Sequence, residues 1–503
     1  MTSMVQPLPC DLLITGGHVL TMEPGAAEFR DGAVAIADGL VLAVGERATI
    51  AARHAARTTL DASGCVVMPG LVDAYAHAGH GMIRGLFHPQ SGWPAYPLYW
   101  HHTEAEWWRA EADLSALERL MAGVTTGLSV IGATPARADD TAFADANAEA
   151  YLAAGLSLVI AIGPPDPIFP HLPLPLAGSF PDGAGWSARP FTEAEALAVS
   201  CAVIRRWNGA GGGRIGVALA PPYLFGRHVM HRRQPHRLPD ATDAPVMLAH
   251  ARLMREVADS HRVAIQTHVF RGSVEFALRH FGEAEIERLL AGPVVAAHAN
   301  GLSEREIRVL GAHGCGIAAV AFTHENLWYG MAPIPALVRA GCKVAITTDG
   351  AAPYASLDPW RELSRTAWNQ WIAADTQSVM PPETLLRMVT IDAARALGHD
   401  ARIGSLAPGK DADLIVVDLD AAHLGPVHDL PTSLALYATA ADVRDVVAKG
   451  EVLLRDRRPT RVDAPAIRAT AREFAARAAA RVDLGAFRRG EARWGGGADW
   501  PSP

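Results

Sequence analysis

The sequence predicts an α/β chain: a TIM (β/α)8 barrel flanked by a small β-sandwich domain formed from both termini. Three observations predict it. Eight short apolar runs alternate with helical stripes through the middle of the chain, β-rich segments stand at both ends, and half of the 503 residues are hydrophobic while only 19% are charged. That balance suits a chain burying a large interior, and the length exceeds one compact core of ordinary size.

The first 60 residues set short β-rich runs against turn residues: Leu12–Ile14, then Gly16-Gly17, Val19-Leu20, Ala33–Ile36, and Val41–Val44 closed by Gly45. This reads as a small antiparallel unit. The pattern returns in Asp413–Asp418 and Val443–Leu454, with Gly409-Lys410 and Lys449-Gly450 as turns. Neither half buries a core alone, so the two are expected to pair. Between them lie eight strand-like runs: Val66–Ala74, Val124–Ile131, Leu156–Ile162, Ile215–Ala220, Val263–His268, Val294–His298, Gly316–Ala321 and Val344–Thr348. Stripes such as Leu114, Leu117, Leu120 and Met121, or Ile286, Leu289 and Leu290, mark helices between them. A βα repeat filling residues 65–402 is longer than the roughly 250 residues of a bare barrel. Pro164–Pro190 and Tyr223–Pro245, rich in Pro, Gly, His and Arg, read as insertions on the catalytic face. The expected division is 1–64 and 403–463 for the sandwich, 65–402 for the barrel, and 464–503 for a helical tail that is a surface helix or an oligomer contact.

With 53 acidic against 45 basic residues, the formal charge of -8 provides no positive field for nucleic acid or an anionic membrane. The expected partner is a small molecule, with the chain a homo-oligomer. Cys10, Cys65, Cys201, Cys315 and Cys342 form no CxxC pair and are odd in number, so neither a disulfide framework nor a zinc ribbon is read here. Met1–Asp11 lacks a basic flank before a long apolar run, and no stretch supplies the ~18 apolar residues of a membrane span. A cytoplasmic location is the expectation.

In such a barrel the active site lies at the C-terminal strand ends, so a polar residue closing an apolar run carries weight. The first run ends Asp73-Ala74-Tyr75-Ala76-His77, the fifth Gln266-Thr267-His268, the sixth Ala297-His298, and the eighth Thr347-Thr348-Asp349-Gly350. Alone, each histidine reads as hydrogen-bonded structure. Together they bring imidazoles and a carboxylate to one rim, which is what a divalent metal requires to activate a water at an open position.

At these residues the chain resembles the amidohydrolase superfamily, in its cytosine deaminase and triazine hydrolase branch, over nearly its whole length. The resemblance rests on Val67-Met68-Pro69-Gly70-Leu71-Val72-Asp73 with His77, on Ala122-Gly123-Val124-Thr125-Thr126, and on Thr267-His268. It continues in Ala297-His298 with Leu302-Ser303-Glu304, in Thr348-Asp349-Gly350-Ala351-Ala352, and in the run from Ile403 through Gly404, Pro408, Gly409 and Lys410 to Leu414. It implies a barrel embraced by a sandwich from both termini. A shorter match, in Ala76-His77-Ala78-Gly79-His80-Gly81, Leu117-Glu118-Arg119 and residues 123–127, is similar to hydrolases that cleave phenylurea and thiocarbamate herbicides.

Two departures shape the functional expectation. The family's first strand usually ends His-x-His, whereas Tyr75 stands at the first of those positions, and a phenol with a pKa of about 10 is a poor ligand until deprotonated. Tyr75 is a weak ligand or a hydrogen-bond donor behind the ligands. His77, His268, His298 and Asp349 still suffice for one ion. After the fifth strand, deaminases of this branch carry a Glu three residues beyond the His; Arg271 stands there instead. The only lysines are Lys343, Lys410 and Lys449, none on the fourth strand, where binuclear relatives place a carboxylated lysine, so a single ion is expected. Zinc comes first on ligand type, with cobalt, iron or manganese as options.

The expected chemistry has Asp349 take a proton from an activated water and pass it to the leaving group, while His298 ligates or bonds the nascent oxyanion. Tyr75, His80, Arg271, His324 and Trp328 are the candidate substrate contacts. Trp93, Tyr96, Tyr99, Trp100, Tyr329 and Trp360 offer an apolar rim, with Trp107 and Trp108 read as helix packing and Glu325 as a spare acid. The leading expectation is a mononuclear metal-dependent amidohydrolase cutting an amide, urea or carbamate-type C–N bond in a small, partly apolar molecule. The alternatives are deamination of a nitrogen heterocycle and a non-catalytic ligand-binding barrel.

Overall fold

The computed structural model describes residues 7–23, 25, 28–78, 80–84, 103–131, 137–167, 176–181, 186–226, 240–321, 330–351 and 355–480. A ring of parallel strands forms the centre. In chain order it comprises β6 (Leu71–Asp73), β7 (Ala76–Ala78), β8 (Val124–Ile131), β9 (Ser157–Ile162), β12 (Ile215–Leu219), β13 (Ile265–Phe270), β14 (Val294–Asn300), β15 (Gly316–Ala319), β16 (Lys343–Ile346) and β17 (Asp349–Gly350). β6 and β7 share the first position and β16 and β17 the eighth, and the ring closes where Asp349 and Gly350 pair with Ala76 and His77. These strands are apolar and buried almost throughout, as parallel strands covered by helices on one side and a packed interior on the other must be.

A second, nine-stranded sheet joins the two ends of the chain. Its N-terminal strands are β1 (Leu8–Leu20), β2 (Glu28–Ala37), β3 (Leu40–Glu46), β4 (His54–Asp61) and β5 (Cys65–Pro69); its C-terminal ones are β18 (Leu414–Asp418), β19 (Val443–Ala448), β20 (Glu451–Arg455) and β21 (Arg458–Pro459). β5 runs parallel to β1 and antiparallel to β18, so the termini meet on it. The period of two divides its residues: Val66 and Met68, with Ile415 and Val417, join the large core around the barrel, while Val67, with Leu414 and Val416, joins a smaller core inside the terminal unit.

The run Val66–Ala74 is therefore not one barrel strand. It divides at Pro69-Gly70, where Gly70 donates its N–H to the Asp413 carbonyl (3.0 Å) and passes so close to Thr125 that a Cβ would stand 2.3 Å from its side chain. The insertion after the third strand also holds structure, a two-stranded antiparallel ribbon of β10 (Leu176–Pro181) and β11 (Trp186–Phe191). Near the C-terminus the helix Ala464–Ala479 packs on the helix Ala105–Met121, burying Ala464, Ala471 and Ala478 at a spacing of seven. Among the described residues no helix is long and apolar enough to cross a membrane.

Candidate active site

Four rim positions carry the cluster, and a buried network sets their spacing. Arg119, wholly inaccessible on the helix Ala105–Met121, donates to Asp73 Oδ2 from Nε and an Nη (3.1 and 2.7 Å), and also to Ser129, Tyr151 and the Leu128 carbonyl. Asp73 Oδ1 in turn accepts from the Thr347 hydroxyl (2.7 Å) and the Thr348 N–H (3.0 Å). Thr347 Oγ1 accepts from the Tyr75 N–H (2.8 Å), and the Tyr75 carbonyl accepts from the Asp349 N–H (3.0 Å). The first and eighth strands are thus tied together immediately below Tyr75, His77 and Asp349. A buried ion pair contributes little net stability, yet loss of one partner strands the other, so such a pair holds geometry strictly.

Above this network Tyr75, His77, His80, His268, His298 and Asp349 stand together, all buried. The Tyr75 hydroxyl lies 2.7 Å from His77 Nε2 and 2.6 Å from His268 Nε2, and its ring meets the edges of three imidazoles at centroid distances of 5.2 to 5.6 Å. Asp349 Oδ1 is 3.3 Å from His77 Nε2, and Oδ2 is 4.0 Å from His298 Nδ1. His80 stacks on His77 (4.7 Å, 9°), and Phe270 stacks on His298 (4.9 Å, 17°). His298 and Asp349 both hold left-handed backbone, with φ of 73° and 58°. For residues other than Gly that conformation costs roughly 1–3 kcal/mol and collects at functional sites.

The electrostatics follow from burial. Desolvation, then the neighbouring imidazoles, pushes His268 and His80 well below the usual histidine range, and desolvation brings His298 down to about 4. Burial alone would raise the Asp349 carboxyl; the hydrogen bond from His77 and the charges of His298, His77 and His80 outweigh it and hold the carboxyl at about 2. His268 Nδ1 faces the Pro222 carbonyl (3.2 Å), which can only accept, so the proton sits on Nδ1 and the Nε2 lone pair faces the cluster.

Among the described residues no three His, Cys, Asp or Glu side chains close on a point by themselves. The Tyr75 hydroxyl occupies the middle. The donor set nonetheless fits a divalent ion in its chemistry: uncharged imidazoles, one with its lone pair fixed inward, beside an ionised carboxylate. The 3.3 Å between His77 Nε2 and Asp349 Oδ1 also matches the separation, roughly 3.3 Å, of two ligands on a tetrahedral ion.

Other expected residues stand elsewhere. Arg271 is exposed; its N–H donates to the Asn300 carbonyl (3.0 Å), and among the described residues no hydrogen bond or ion pair engages its side chain. β13 ends at Phe270, and that ring, not the guanidinium, covers His298. Trp107, Trp108 and Trp360 are core residues, Trp360 donating to the Ala122 carbonyl (2.9 Å), so they line no pocket rim. Trp93, Tyr96, Tyr99, Trp100, His324, Glu325, Trp328 and Tyr329 lie outside the described residues. Phe270, Pro222 and the reach of Arg119 were not foreseen. A lone Arg on the apolar face of the helix Ala105–Met121 was the available signal for the last; a backbone carbonyl leaves none.

Comparison with known proteins places the family and the fold. The amidohydrolase family model matches residues 66–453. A 5-methylthioadenosine/S-adenosylhomocysteine deaminase of Syntrophobacter fumaroxidans is 34% identical over 89% of this chain and 94% of its own. A 5'-deoxyadenosine deaminase of Methanosarcina barkeri is 28% identical over 94% and 99%. In structure, an adenosine deaminase from Xanthomonas campestris with bound zinc superposes with a TM-score of 0.77 at 27% identity, covering 94% of this chain and 99% of that one. Atrazine chlorohydrolase from Arthrobacter aurescens, complexed with zinc, shares the fold at a TM-score of 0.71 and 21% identity over 92% and 100%. With the barrel, the terminal sheet and the rim cluster all in place, the chain belongs to the amidohydrolase family, as a hydrolase of carbon–nitrogen bonds other than peptide bonds.

Proposed function

We propose that the chain is an aminohydrolase of an adenine-type nucleoside, exchanging the exocyclic amino group for oxygen, with water consumed and ammonia released. The observation that carries this reading is Asp349, a buried and ionised carboxylate held beside His77 and the uncharged His298 at the barrel mouth. The choice of a nucleoside amine rests on what the relatives are named for, and moves the reading from the amide, urea and carbamate bonds expected first to the deamination alternative.

One divalent ion, zinc first, would be held by His77, His268 and Asp349, with His298 beside it as a ligand or as a hydrogen-bond donor to the reacting oxygen. When bound it supplies the Lewis acidity that makes a water acidic near neutral pH. Asp349 takes the proton from that water and delivers it to the departing amine. His298, uncharged and steadied by Phe270, donates a hydrogen bond to the oxygen that gains charge as water adds. The Phe270 and Tyr223 rings, both buried against His268, keep solvent from the imidazoles.

Arg271 favours a second reading. No carboxylate stands at that position to protonate a ring nitrogen, a step an amide or urea does not need. Zinc-supplemented protein offered 5'-methylthioadenosine, S-adenosylhomocysteine and 5'-deoxyadenosine should release ammonia and give the oxo product. Silence on all three, with amine released from an N-substituted amide or urea, would select the second reading.

A further inference from the structure

We propose that the floor of the barrel, on the face opposite the histidine cluster, carries a binding site for a small oxyanion of the size and charge of inorganic phosphate. The site is a cavity of about 170 Å³, far above the roughly 10–15 Å³ that a single water needs. Thr126 of β8 and Ser157 of β9 line it near the N-terminal ends of their strands, and Arg214 lines it just before β12. His399, Arg402 and Asp411 line it from the segment that leads into the terminal sheet, so the two sheets meet around this space.

Charge withdrawn from solvent carries the inference. The Arg214 side chain is only 13% exposed and donates to the Gly155 and Ala448 carbonyls, which orient the guanidinium without neutralising it. Glu451 stands 3.6 Å from it but already accepts two bonds from Arg461 (3.0 and 2.8 Å). Arg402 gives one Nη to Asp411 (2.7 Å), and Lys449 Nζ stands 3.8 Å from the same carboxylate. A Cβ on Gly213 would lie 3.6 Å from both Nη atoms of Arg402 and 3.8 Å from Lys449 Nζ. Two cations from separate segments thus face one open point, beside a residue with no side chain to fill it. Around the cavity Arg214, Arg402, Lys449 and Arg461 outnumber Asp411, Asp413 and Glu451, and burial pushes the Asp413 carboxyl up, away from its charged form. A largely buried guanidinium without a carboxylate of its own is costly, and a bound oxyanion offsets that cost.

Thr126 is an independent sign of a ligand. It is 3% exposed, and among the described residues its hydroxyl meets no hydrogen-bond partner. Native folds seldom leave a buried hydroxyl unmatched, and this one borders the cationic cavity. His399, lowered by burial and then by the Arg402 charge, is a neutral ring that can donate as well. Among the described residues Asp411 is the one acid in the lining, and it is engaged by Arg402. A lining of guanidinium, hydroxyl and imidazole donors calls for a ligand made of acceptors, which a phosphate is on every oxygen and a metal ion is not.

Full-length wild type, Arg402→Gln and Thr126→Val are to be titrated with inorganic phosphate by isothermal calorimetry, with zinc and without it, against chloride at matched ionic strength. Wild type should bind a single phosphate with a Kd on the order of 1 mM whether or not zinc is present, and phosphate should raise its Tm. Arg402 is exposed and valine keeps the shape of threonine, so both variants should fold, as unfolding curves without phosphate establish. Each should bind phosphate roughly ten- to hundredfold more weakly, having lost a hydrogen bond to a charged group. The site is overturned if wild type binds no phosphate, if chloride reproduces the effect, if binding requires zinc, or if either variant binds as wild type does.

Discussion

At Asp349 and Gly350 a left-handed residue is followed at once by a glycine, and each is explained by a neighbour. The carboxylate accepts the Gly350 N–H at 2.6 Å, which steadies the φ of 58°. Gly350 leaves room for His80: a Cβ would stand 1.8 Å from His80 Nδ1, and His80 is already pressed on the His77 ring. Gly350→Ala should therefore cost about 1–3 kcal/mol through overpacking, and by displacing His77 about 1 Å should lower kcat/KM roughly 100-fold. Thermal unfolding and steady-state kinetics check both, and an unaltered kcat/KM would show His80 to be spare packing. Asp349→Asn keeps the shape and the bond to Gly350 but cannot accept a proton, so turnover should fall by roughly 10²–10⁴ while far-UV circular dichroism is unchanged. An active Asn variant would remove the assigned proton carrier.

The helix Ala105–Met121 holds the segment that carries His80. Its Glu111, buried, accepts the N–H groups of Gly81 and Met82, both at 2.8 Å. Desolvation raises this carboxyl to about 7, against the partial opposition of those two bonds. A carboxyl raised on folding binds its proton more tightly in the native state, so its share of stability is full below the unfolded value near 4.5 and lost as pH rises through 7. Across that window the loss amounts to roughly 3 kcal/mol. Glu111→Gln should flatten the fall; chemical denaturation at pH 5 and pH 8 measures it, and a slope equal to wild type would assign the dependence elsewhere. At this scale the sequence was legible where one period ruled: the apolar runs that became β8, β9, β13 and β14 announced themselves, and His268 and His298 stood at or just before their ends. It misled at Val66–Ala74, because the run was read straight through Pro69-Gly70, the turn at which the strand is handed from one sheet to another and Gly70 meets Thr125 and Asp413. It could not disclose that Tyr75 Oη joins two histidines, since that contact depends on how β7 and β13 are set, 193 residues apart.

In the whole molecule the terminal sheet determines where the first barrel strand begins. β5 lies between β1 and β18, and Val66 and Met68 on it share the barrel's core with Ile415, Val417, Val443 and Val446. The C-terminal segment also reaches the helix Ala105–Met121, where an Arg457 Nη donates to the Met121 carbonyl (2.9 Å) and to the Val443 carbonyl (2.7 Å). A chain ending at Arg402 would lack β18 through β21, leave one edge of β5 unpaired and uncover the barrel-facing side of Val66 and Met68. Losing the partners of two fully buried side chains alone costs several kcal/mol, at roughly 1.5–3 kcal/mol for each, against a total stability of only about 5–15 kcal/mol. Such a chain should be insoluble or unfold without a cooperative transition, as solubility and thermal circular dichroism would reveal. A soluble, cooperatively melting 1–402 fragment would mean that the barrel positions Tyr75, His77 and Asp349 without help from the far end of the chain. The bonds from Gly70 to Asp413 and from Arg457 to Met121 argue that it does not.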